Sequence, residues 1–433
     1  MSITDHLIAF CTAPTDRAAC EMMRLSLFDW AACGIAGAQE GGFDRFQKSI
    51  GAQGGQGEAM VFGGALMPAP AAALINGTLS HALDFDDTHF AHIGHPSVAV
   101  APAALAVAQR EGRDFDAMFD AALIGVEASI HVGLWLGRDH YQIGFHQTAT
   151  AGAFGATLAA ARLLGLSEVE TRHALGLCAS LASGIKAQFG TGGKPLNAGL
   201  AARSGVEAAL WAQCGMSAAA DGLAGPLGFG PTHHGAQDET HLAALGKTPW
   251  QILSISHKLH ACCHGLHAML EALDGVSVDA QEIESIEVKT HPRWLSVCNI
   301  PEPDTGLASK FSYRHTAAMA MLGKSTAQRN MFSDVMAQDA EVLALRRKVT
   351  VKGDTDLSEM QAEVTIMLTC GKRIDVSHDL AAPLPEAIRQ QKLRSKATDL
   401  LGAARETRLW SAIKTSDMTG FLETIGSSER GEQ

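Results

Sequence analysis

Alanine and glycine, set among larger apolar residues at helical spacing, run through the first 255 or so residues and restrict that span to closely packed helices. The chain carries 44 glycines in 433 residues. Small residues on a helix face let two backbones approach closely, because the side chains at a contact set the distance between axes. Apolar periodicity persists throughout, which excludes a low-complexity chain. Asp114 caps a helix that carries Met118, Phe119, Ala122, Leu123 and Val126 at helical intervals. Ser167 and Glu170 have the spacing of a capping box, and the helix behind them runs toward Ala182, with Gly184 as a terminator. Residues 198–213 form another helical stretch, broken by Gly215.

The pattern changes after about residue 280. Ile286 and Val288 alternate with Glu287 and Lys289 until Pro292 ends the run. Val349 and Val351 alternate in the same way. Val364, Ile366 and Leu368 alternate, Cys370-Gly371-Lys372 turns the chain, and Ile374 and Val376 complete a β-hairpin. Residues 311–322 between them read as a helix. From Glu386 the helical pattern resumes through Leu393, Ala397, Leu400, Leu401, Ala404, Trp410 and Ile413. The expected fold is mainly α: a large all-helical domain made of residues 1–256 with 386–433, and an inserted, smaller α+β lid domain at 257–385.

Length and composition narrow the function classes. A chain of 433 residues is long for one domain, so two are expected. The net charge is -12 and no basic stripe exists, which argues against nucleic acid as the partner. No run of 18 uninterrupted apolar residues is present, so no transmembrane helix is expected. The first residues lack a basic segment followed by an apolar run, as a secretory signal would have. The nine cysteines form no CxxC pair, and free thiols in a cytoplasmic protein are expected.

Chemistry concentrates in residues 81–97, which hold Asp84, Asp86, Asp87, Thr88 and the histidines His81, His89, His92 and His95 between two apolar segments. Acids and imidazoles crowded between core helices point to proton transfer, since a carboxylate beside an imidazole fixes its tautomer and tunes its pKa. Asp84, Thr88 and His95 are the expected functional set. Asp86 or Asp87 is expected to cap or brace a turn, and His89 and His92 to lie at the surface. The spacing matches no zinc signature, and no metal is expected.

Three further segments matter. Gly144-Phe145-His146-Gln147-Thr148 opens a helix, where the dipole favours a neutral imidazole and attracts carboxylates. His146 reads locally either as a structural histidine or as a site residue. Gly190 to Leu196 resembles a phosphate loop but has Gln188 and Pro195 where Walker chemistry needs glycine and Ser or Thr, so nucleotide binding is rejected. Lys194 is left as a carboxylate anchor or a solvated loop lysine. His257 to His267 gathers His257, Lys258, His260, Cys262, Cys263, His264 and His267 at the junction of the two parts, a common place for a small-molecule site.

Together these segments resemble the MmgE/PrpD family, which includes 2-methylcitrate dehydratase, cis-aconitate decarboxylase and iminodisuccinate epimerase. The matching pieces are Asn76-Gly77 through His95-Pro96-Ser97, Gly-x-His-x-Thr at 144–148, Lys194-Pro195-Leu196 with Ala201-Ala202-Arg203, Lys258 with Cys263 and His267, and Lys310-Phe311-Ser312. They occur in the family's order over most of the chain. The resemblance implies a homodimer, an active site in the interdomain cleft and no metal or organic cofactor. It also implies Asp84, Thr88, His95, His146, Lys194 and Lys258 as catalytic residues, with Cys263, His267, Lys310 and His315 as substrate-binding candidates. Three departures touch the pocket: Asn197 stands where the family usually has histidine, His315 where many members have tyrosine, and one extra residue separates Thr88 from His95.

The expected function is a cofactor-independent lyase on a small di- or tricarboxylic acid, dehydratase-like or decarboxylase-like. It would act by proton abstraction next to a carboxylate. Lys194 and Lys258 would hold carboxylates, Thr88 would donate a hydrogen bond, His95 and His146 would move protons, and Asp84 would orient an imidazole. An epimerase of an amino-dicarboxylate is the alternative within the family. A metal-dependent hydrolase and a non-catalytic binding protein are the alternatives outside it.

Overall fold

Backbones that nearly touch organise the helical part of the chain. The structure is a computed structural model that describes residues 2–427. The chain divides into two compact units: residues up to His257 together with those from Leu393 onward, and residues Lys258–Lys392.

The first unit begins with α1 (Ile3–Cys11), α2 (Arg17–Gln39) and α3 (Asp44–Gly51), then a two-residue antiparallel ladder of β1 (Ala59–Met60) and β2 (Leu66–Met67). Six helices follow: α4 (Ala69–His81), α5 (Pro96–Arg110), α6 (Phe115–Ile143), α7 (Gln147–Leu164), α8 (Glu168–Leu181) and α9 (Gly193–Gln213). The capping chemistry forms as the sequence requires. The Asp114 side chain accepts from the Ala117 amide, and Ser167 and Glu170 satisfy each other's amides.

Glycine explains the closeness of α4 to α9. A Cβ on Gly77 of α4 would lie 2.8 Å from the Gly199 Cα of α9, and a Cβ on Gly199 would lie 2.2 Å from the Leu74 carbonyl oxygen. α6 and α7 meet in the same way, with Gly125 and Gly155 each facing the other's carbonyl. The apolar stripes of α4, α5, α7 and α9 therefore bury almost completely, and alanine fills the remaining space.

Among the described residues one helix, α6, is long enough to cross a membrane and has an 18-residue window of mean hydropathy 1.4, although it holds no 18 consecutive apolar residues. In the fold 89% of that window is buried, as in the core helix of a globular unit. Between Asp120 and Arg138 the one charged residue is Glu127, which is itself buried and hydrogen-bonded.

The second unit contains α10 (His267–Leu273), β3 (Ile283–Thr290), α11 (Tyr313–Met321), β4 (Val349–Gly353), β5 (Gln361–Leu368) and β6 (Arg373–Asp379). Its sheet has the order β4-β3-β5-β6. β3 and β4 are parallel and joined by a crossover through α11, while β5 is antiparallel to both β3 and β6. The hairpin turns at Gly371, whose φ of 82° suits a residue without Cβ. Val364 faces Val376 and Ile366 faces Ile374 across it. Ile286, Val288, Val364 and Ile366 are buried, and α10 packs against β5 and β6.

The last helices are α12 (Glu386–Leu401), α13 (Ala403–Lys414) and α14 (Met418–Gly426). The division between units falls inside α12. Lys392, on the second unit's side, pairs with Glu271 at 2.6 Å and with Asp274 at 3.2 Å. Beyond it, Trp410 packs edge-on to Phe28 at 5.2 Å and Phe421 to Phe115 at 5.8 Å, within the first unit.

The α4–α9 crossing yields a direct test. Gly199→Ala forces a methyl against the Leu74 carbonyl and should destabilise the protein by about 1–3 kcal/mol, the usual result of overpacking. The check is the urea midpoint at constant slope. An unchanged midpoint would mean that the helices do not meet there.

Candidate active site

The turn between α4 and α5 presents the acids and histidines of residues 81–97. His81 ends α4, and His95 is the residue before the first turn of α5. Between them Asp84 has φ +50°, a left-handed conformation that Asp tolerates better than most residues. The chain thereby reverses, and Asp86 and Asp87 enter the interior.

Asp86 is fully buried. The His81 Nδ1 lies 2.9 Å and 3.0 Å from its two carboxylate oxygens, and the His95 Nδ1 lies 3.0 Å from Oδ2. Two imidazoles thus share one carboxylate, each presenting Nδ1 to it. Burial alone would raise the Asp86 pKa, but the facing imidazoles outweigh it and hold the carboxyl well below the usual range. Burial, reinforced by Lys194 and His95, lowers His81 to about 4 despite Asp86, so His81 is neutral and donates its Nδ1–H. The His95 Nε2 lies on the opposite side of that ring from Nδ1, toward Asp84. Asp84 was the expected orienting acid and Asp86 or Asp87 the expected brace of the turn; Asp87 holds Ser97, while Asp86 makes the shorter contacts, to two rings.

Asp84 has another principal partner. Its Oδ1 accepts from the Lys194 ammonium at 2.5 Å and lies 3.4 Å from the His95 Nε2. Asp84 and Lys194 face the reactive side of His95, and Asp84 keeps substantial exposure, with 44% of its side chain open to solvent. Lys194 sits in the first turn of α9, not on a free loop, and is 16% exposed. Its ammonium also lies 5.6 Å from the centre of the Phe189 ring.

His146 is buried immediately before α7. Burial, Lys194 and the neighbouring histidines hold its pKa well below the usual imidazole range, so it is neutral. The Asn197 side-chain amide contacts the His146 Nδ1 at 3.3 Å and the Ile185 carbonyl at 3.4 Å. Facing two acceptors, that amide donates, which assigns the His146 proton to Nε2. Asn197, one of the departures, therefore sets a tautomer. His81 and His146 stack at 6.0 Å between ring centres, which completes a single cluster of His81, Asp84, Asp86, His95, His146, Lys194 and Asn197. Sequence reasoning left His81 and Asp86 out of the functional set and marked Asn197 only as a departure that touches the pocket. The five-residue step from His81 to Asp86 was the one available signal.

The other side of the turn is a second polar layer. Asp87 accepts from the Ser97 hydroxyl at 2.5 Å and from the Ser97 amide at 3.3 Å. Burial, with Asp29 and Asp86 nearby, raises Asp87 to about 7. Thr88 donates its hydroxyl hydrogen to the Ser256 carbonyl at 3.0 Å, and a backbone bridge joins the same two residues. That hydrogen ties the turn to residue 256. His89 and His92 are not at the surface as expected. Both are buried, His89 against the Gln251 carbonyl at 3.2 Å and His92 against Gly133, where any Cβ would overlap its ring. Burial lowers them to about 4 and about 3 respectively.

Lys258, Cys263, His267, Lys310 and His315 belong to the second unit. Lys258 is buried. The Cys263 amide donates to the Lys310 carbonyl at 2.9 Å. His267 packs on His264 at 4.4 Å and on His260 at 5.0 Å. His260 in turn contacts Thr326 at 2.7 Å and Glu271 at 3.2 Å. His315 is closed off from solvent in α11, and burial lowers it to about 4.

The MmgE/PrpD N-terminal domain family matches residues 2–241 and the MmgE/PrpD C-terminal domain family matches residues 260–417. The chain is 26% identical over 421 residues to a cis-aconitate decarboxylase of Aspergillus terreus, covering 89% of this chain and 86% of that protein. It is 26% identical over 365 residues to the cis-aconitate decarboxylase of Mus musculus, covering 77% and 73%. A cis-aconitate decarboxylase-like protein of Aspergillus oryzae is 32% identical over 270 residues, covering 57% of this chain and 55% of that protein.

Asp87 gives a pH test. Its folded pKa of about 7 exceeds the ordinary value of 3.8. Between those values the folded state holds a proton that the unfolded chain has lost, so stability falls as pH rises through that window. Asp87→Asn carries no such proton. The stability of the native protein relative to Asp87→Asn should decline as pH rises from about 4 to about 7 and then level off. Urea midpoints of both proteins across that range check it, and parallel curves would contradict it.

Proposed function

The chain belongs to the MmgE/PrpD family, and we propose that it is a lyase that cleaves a small polycarboxylic acid by moving a proton at a carbon next to a carboxylate, with cis-aconitate the first acid to test. The observation that carries this reading is the His95 ring, which presents Nδ1 to the buried Asp86 carboxylate and turns Nε2 toward Asp84 and Lys194. A fixed imidazole with one nitrogen engaged and the other facing a cation is arranged to pass a proton to or from an acidic substrate.

Each neighbour has a role in this proposal. Lys194 exchanges Asp84 for a substrate carboxylate, which binds by a charge-assisted hydrogen bond. His95 Nε2 accepts the proton in a dehydration or delivers it to carbon as carbon dioxide leaves. His146, neutral and with its proton on Nε2, donates a hydrogen bond to the negative charge that develops on the substrate. A donor placed in advance of the reaction stabilises that charge without reorganisation. The positive end of α7 favours the same neutral form.

A metal-dependent hydrolase is the second reading, favoured by one observation: the donor atoms of His81, Asp86 and His95 lie within 4.8 Å of one another. Elemental analysis and turnover after chelation separate the two. Incubation with cis-aconitate and other di- and tricarboxylic acids in deuterated water, followed by NMR, tests the lyase directly. Loss of carbon dioxide or water supports it. Label gain without net conversion would replace it with an epimerase.

Two variants follow from these roles. His95→Gln and His146→Gln should each lower kcat by roughly 10²–10⁴, the usual size of a lost proton-transfer group. Near-normal kcat in both would remove the histidines from the mechanism. Lys194→Met should weaken binding of a carboxylate inhibitor by about one to two orders of magnitude, from the loss of a bond worth roughly 1.5–3 kcal/mol. Equal inhibitor affinity in variant and native protein would leave Lys194 as a partner of Asp84 alone.

A further inference from the structure

The α12 helix carries a lysine whose whole side chain is inside the first unit. Lys396 is 2% exposed. Its ammonium lies 2.6 Å from the Asp29 Oδ1 on α2, donates to the Phe85 main-chain carbonyl at 2.5 Å, and lies 3.9 Å from the centre of the Phe85 ring. Phe85 stands between Asp84 and Asp86 and is itself buried. One carbonyl thus connects α12 to the turn that aims both carboxylates.

We propose that Lys396 is a positioning residue of the proton-transfer site: by holding the Phe85 carbonyl it fixes the turn that presents Asp84 to Lys194 and Asp86 to His81 and His95. The proposal rests on the lyase reading for its kinetic consequence, but its geometric consequence does not depend on it. The Phe85 peptide sits between a left-handed residue, Asp84, and the buried Asp86. Rotation of that peptide would move both carboxylates at once. Pairing with Asp29 allows an ammonium to exist at this depth, since an unpaired buried charge is strongly disfavoured. The pairing also explains why a lysine, and not a neutral donor, reaches the carbonyl.

Other charged groups near the turn do not substitute for it. Asp29 and Asp87 are acids, and Cys33 and the Ser26 hydroxyl near Asp29 and Asp87 carry no cation. Ser26 is also 3.1 Å from the His257 Nε2, which is thereby turned toward the serine. Lys194 is bonded to the Asp84 side chain and not to the Phe85 carbonyl.

A structural ion pair and a positioning residue differ in a measurable way. Asp29→Asn removes the negative charge of the pair but keeps an oxygen that accepts from Lys396, whereas Lys396→Met releases the Phe85 carbonyl. The double variant Asp29→Leu with Lys396→Met removes both charges and should keep the fold, because buried ion pairs are often replaceable by apolar residues. Two readouts apply to all three variants and to His95→Gln: kcat and KM for cis-aconitate over about pH 5.5–8.5, and NMR of isotope-labelled histidine rings without substrate. Lys396→Met and the double variant should lose about 100-fold in kcat, as expected for a misplacement near 1 Å. Their KM should change little, their pH profile should shift, and the His81 and His95 ring signals should move. Asp29→Asn should lose stability, because it removes the carboxylate that offsets the buried ammonium, but the folded variant should stay within about threefold of native kcat, since Lys396 still donates to the asparagine oxygen and to the Phe85 carbonyl. Equal losses in Asp29→Asn and Lys396→Met, or a folded double variant with native ring signals, would overturn the proposal. If the native protein and His95→Gln turn over the acid equally, the lyase reading fails, and the ring signals alone decide the role of Lys396.

Discussion

The buried Asp86 carboxylate is the constraint on which the site depends. A carboxylate out of water is tolerated only when donors surround it, and its donors here are imidazoles from two different helix ends. His81 must end α4 facing inward and His95 must precede α5 facing back. The His81 ring is hydrogen-bonded through Nδ1, and the His95 ring has Nδ1 3.0 Å from Asp86 and Nε2 3.4 Å from Asp84, the carboxylate that Lys194 pairs with. The acid does not itself act on a substrate in this arrangement. It decides which atom of each imidazole is available.

Two adjacent acids with opposite behaviour follow from the same turn. Asp86 is held ionised by the rings it faces, whereas Asp87, one residue on, is driven upward by burial and by the neighbouring acids Asp29 and Asp86, against the lowering effect of its Ser97 hydrogen bond. Their side chains enter two layers, a proton-transfer layer and a structural layer behind it. The structural layer continues through Ser26 to His257 and through Asp29 to Lys396. The back of the turn is thus tied to α2 and α12, and the front is left to Lys194 and the substrate. Helices that approach through Gly77 and Gly199 bring α9, with Lys194 and Asn197, within reach of that front.

Much of this was legible before any coordinates. The capping residues Asp114 and Ser167, the hairpin around Gly371 and the glycine-alanine packing of the helices follow from short-range chemistry, and the structure contains each of them. The crowding of acids and histidines at 81–97 marked the site as well. The division of labour within it was not legible. Asp84 was the expected orienting acid, and the reversal at its left-handed backbone gave the closer contacts to Asp86. His89 and His92 look polar in sequence and were expected outside, yet the Gly133 cleft and the Gln251 carbonyl receive them. α6 was legible as a helix capped by Asp114 and apolar as far as Val126, but the place of Glu127 in its interior was not, since only the fold supplies that acid with the Gln251 and Ile252 amides.

The sequence by itself determined the inventory and the local geometry: which acids, imidazoles and lysines are available, where helices start, where strands alternate and which backbones can touch. Those properties depend on residues a few positions apart, so they survive without knowledge of the fold. The tertiary structure alone decided which group meets which. Lys396 reaches a carbonyl 311 residues away, and Asn197 sets the proton on a histidine 51 residues earlier. Such pairings follow from helix packing and from the dihedrals of one turn, and a buried charge accepts only the partner that packing delivers to it.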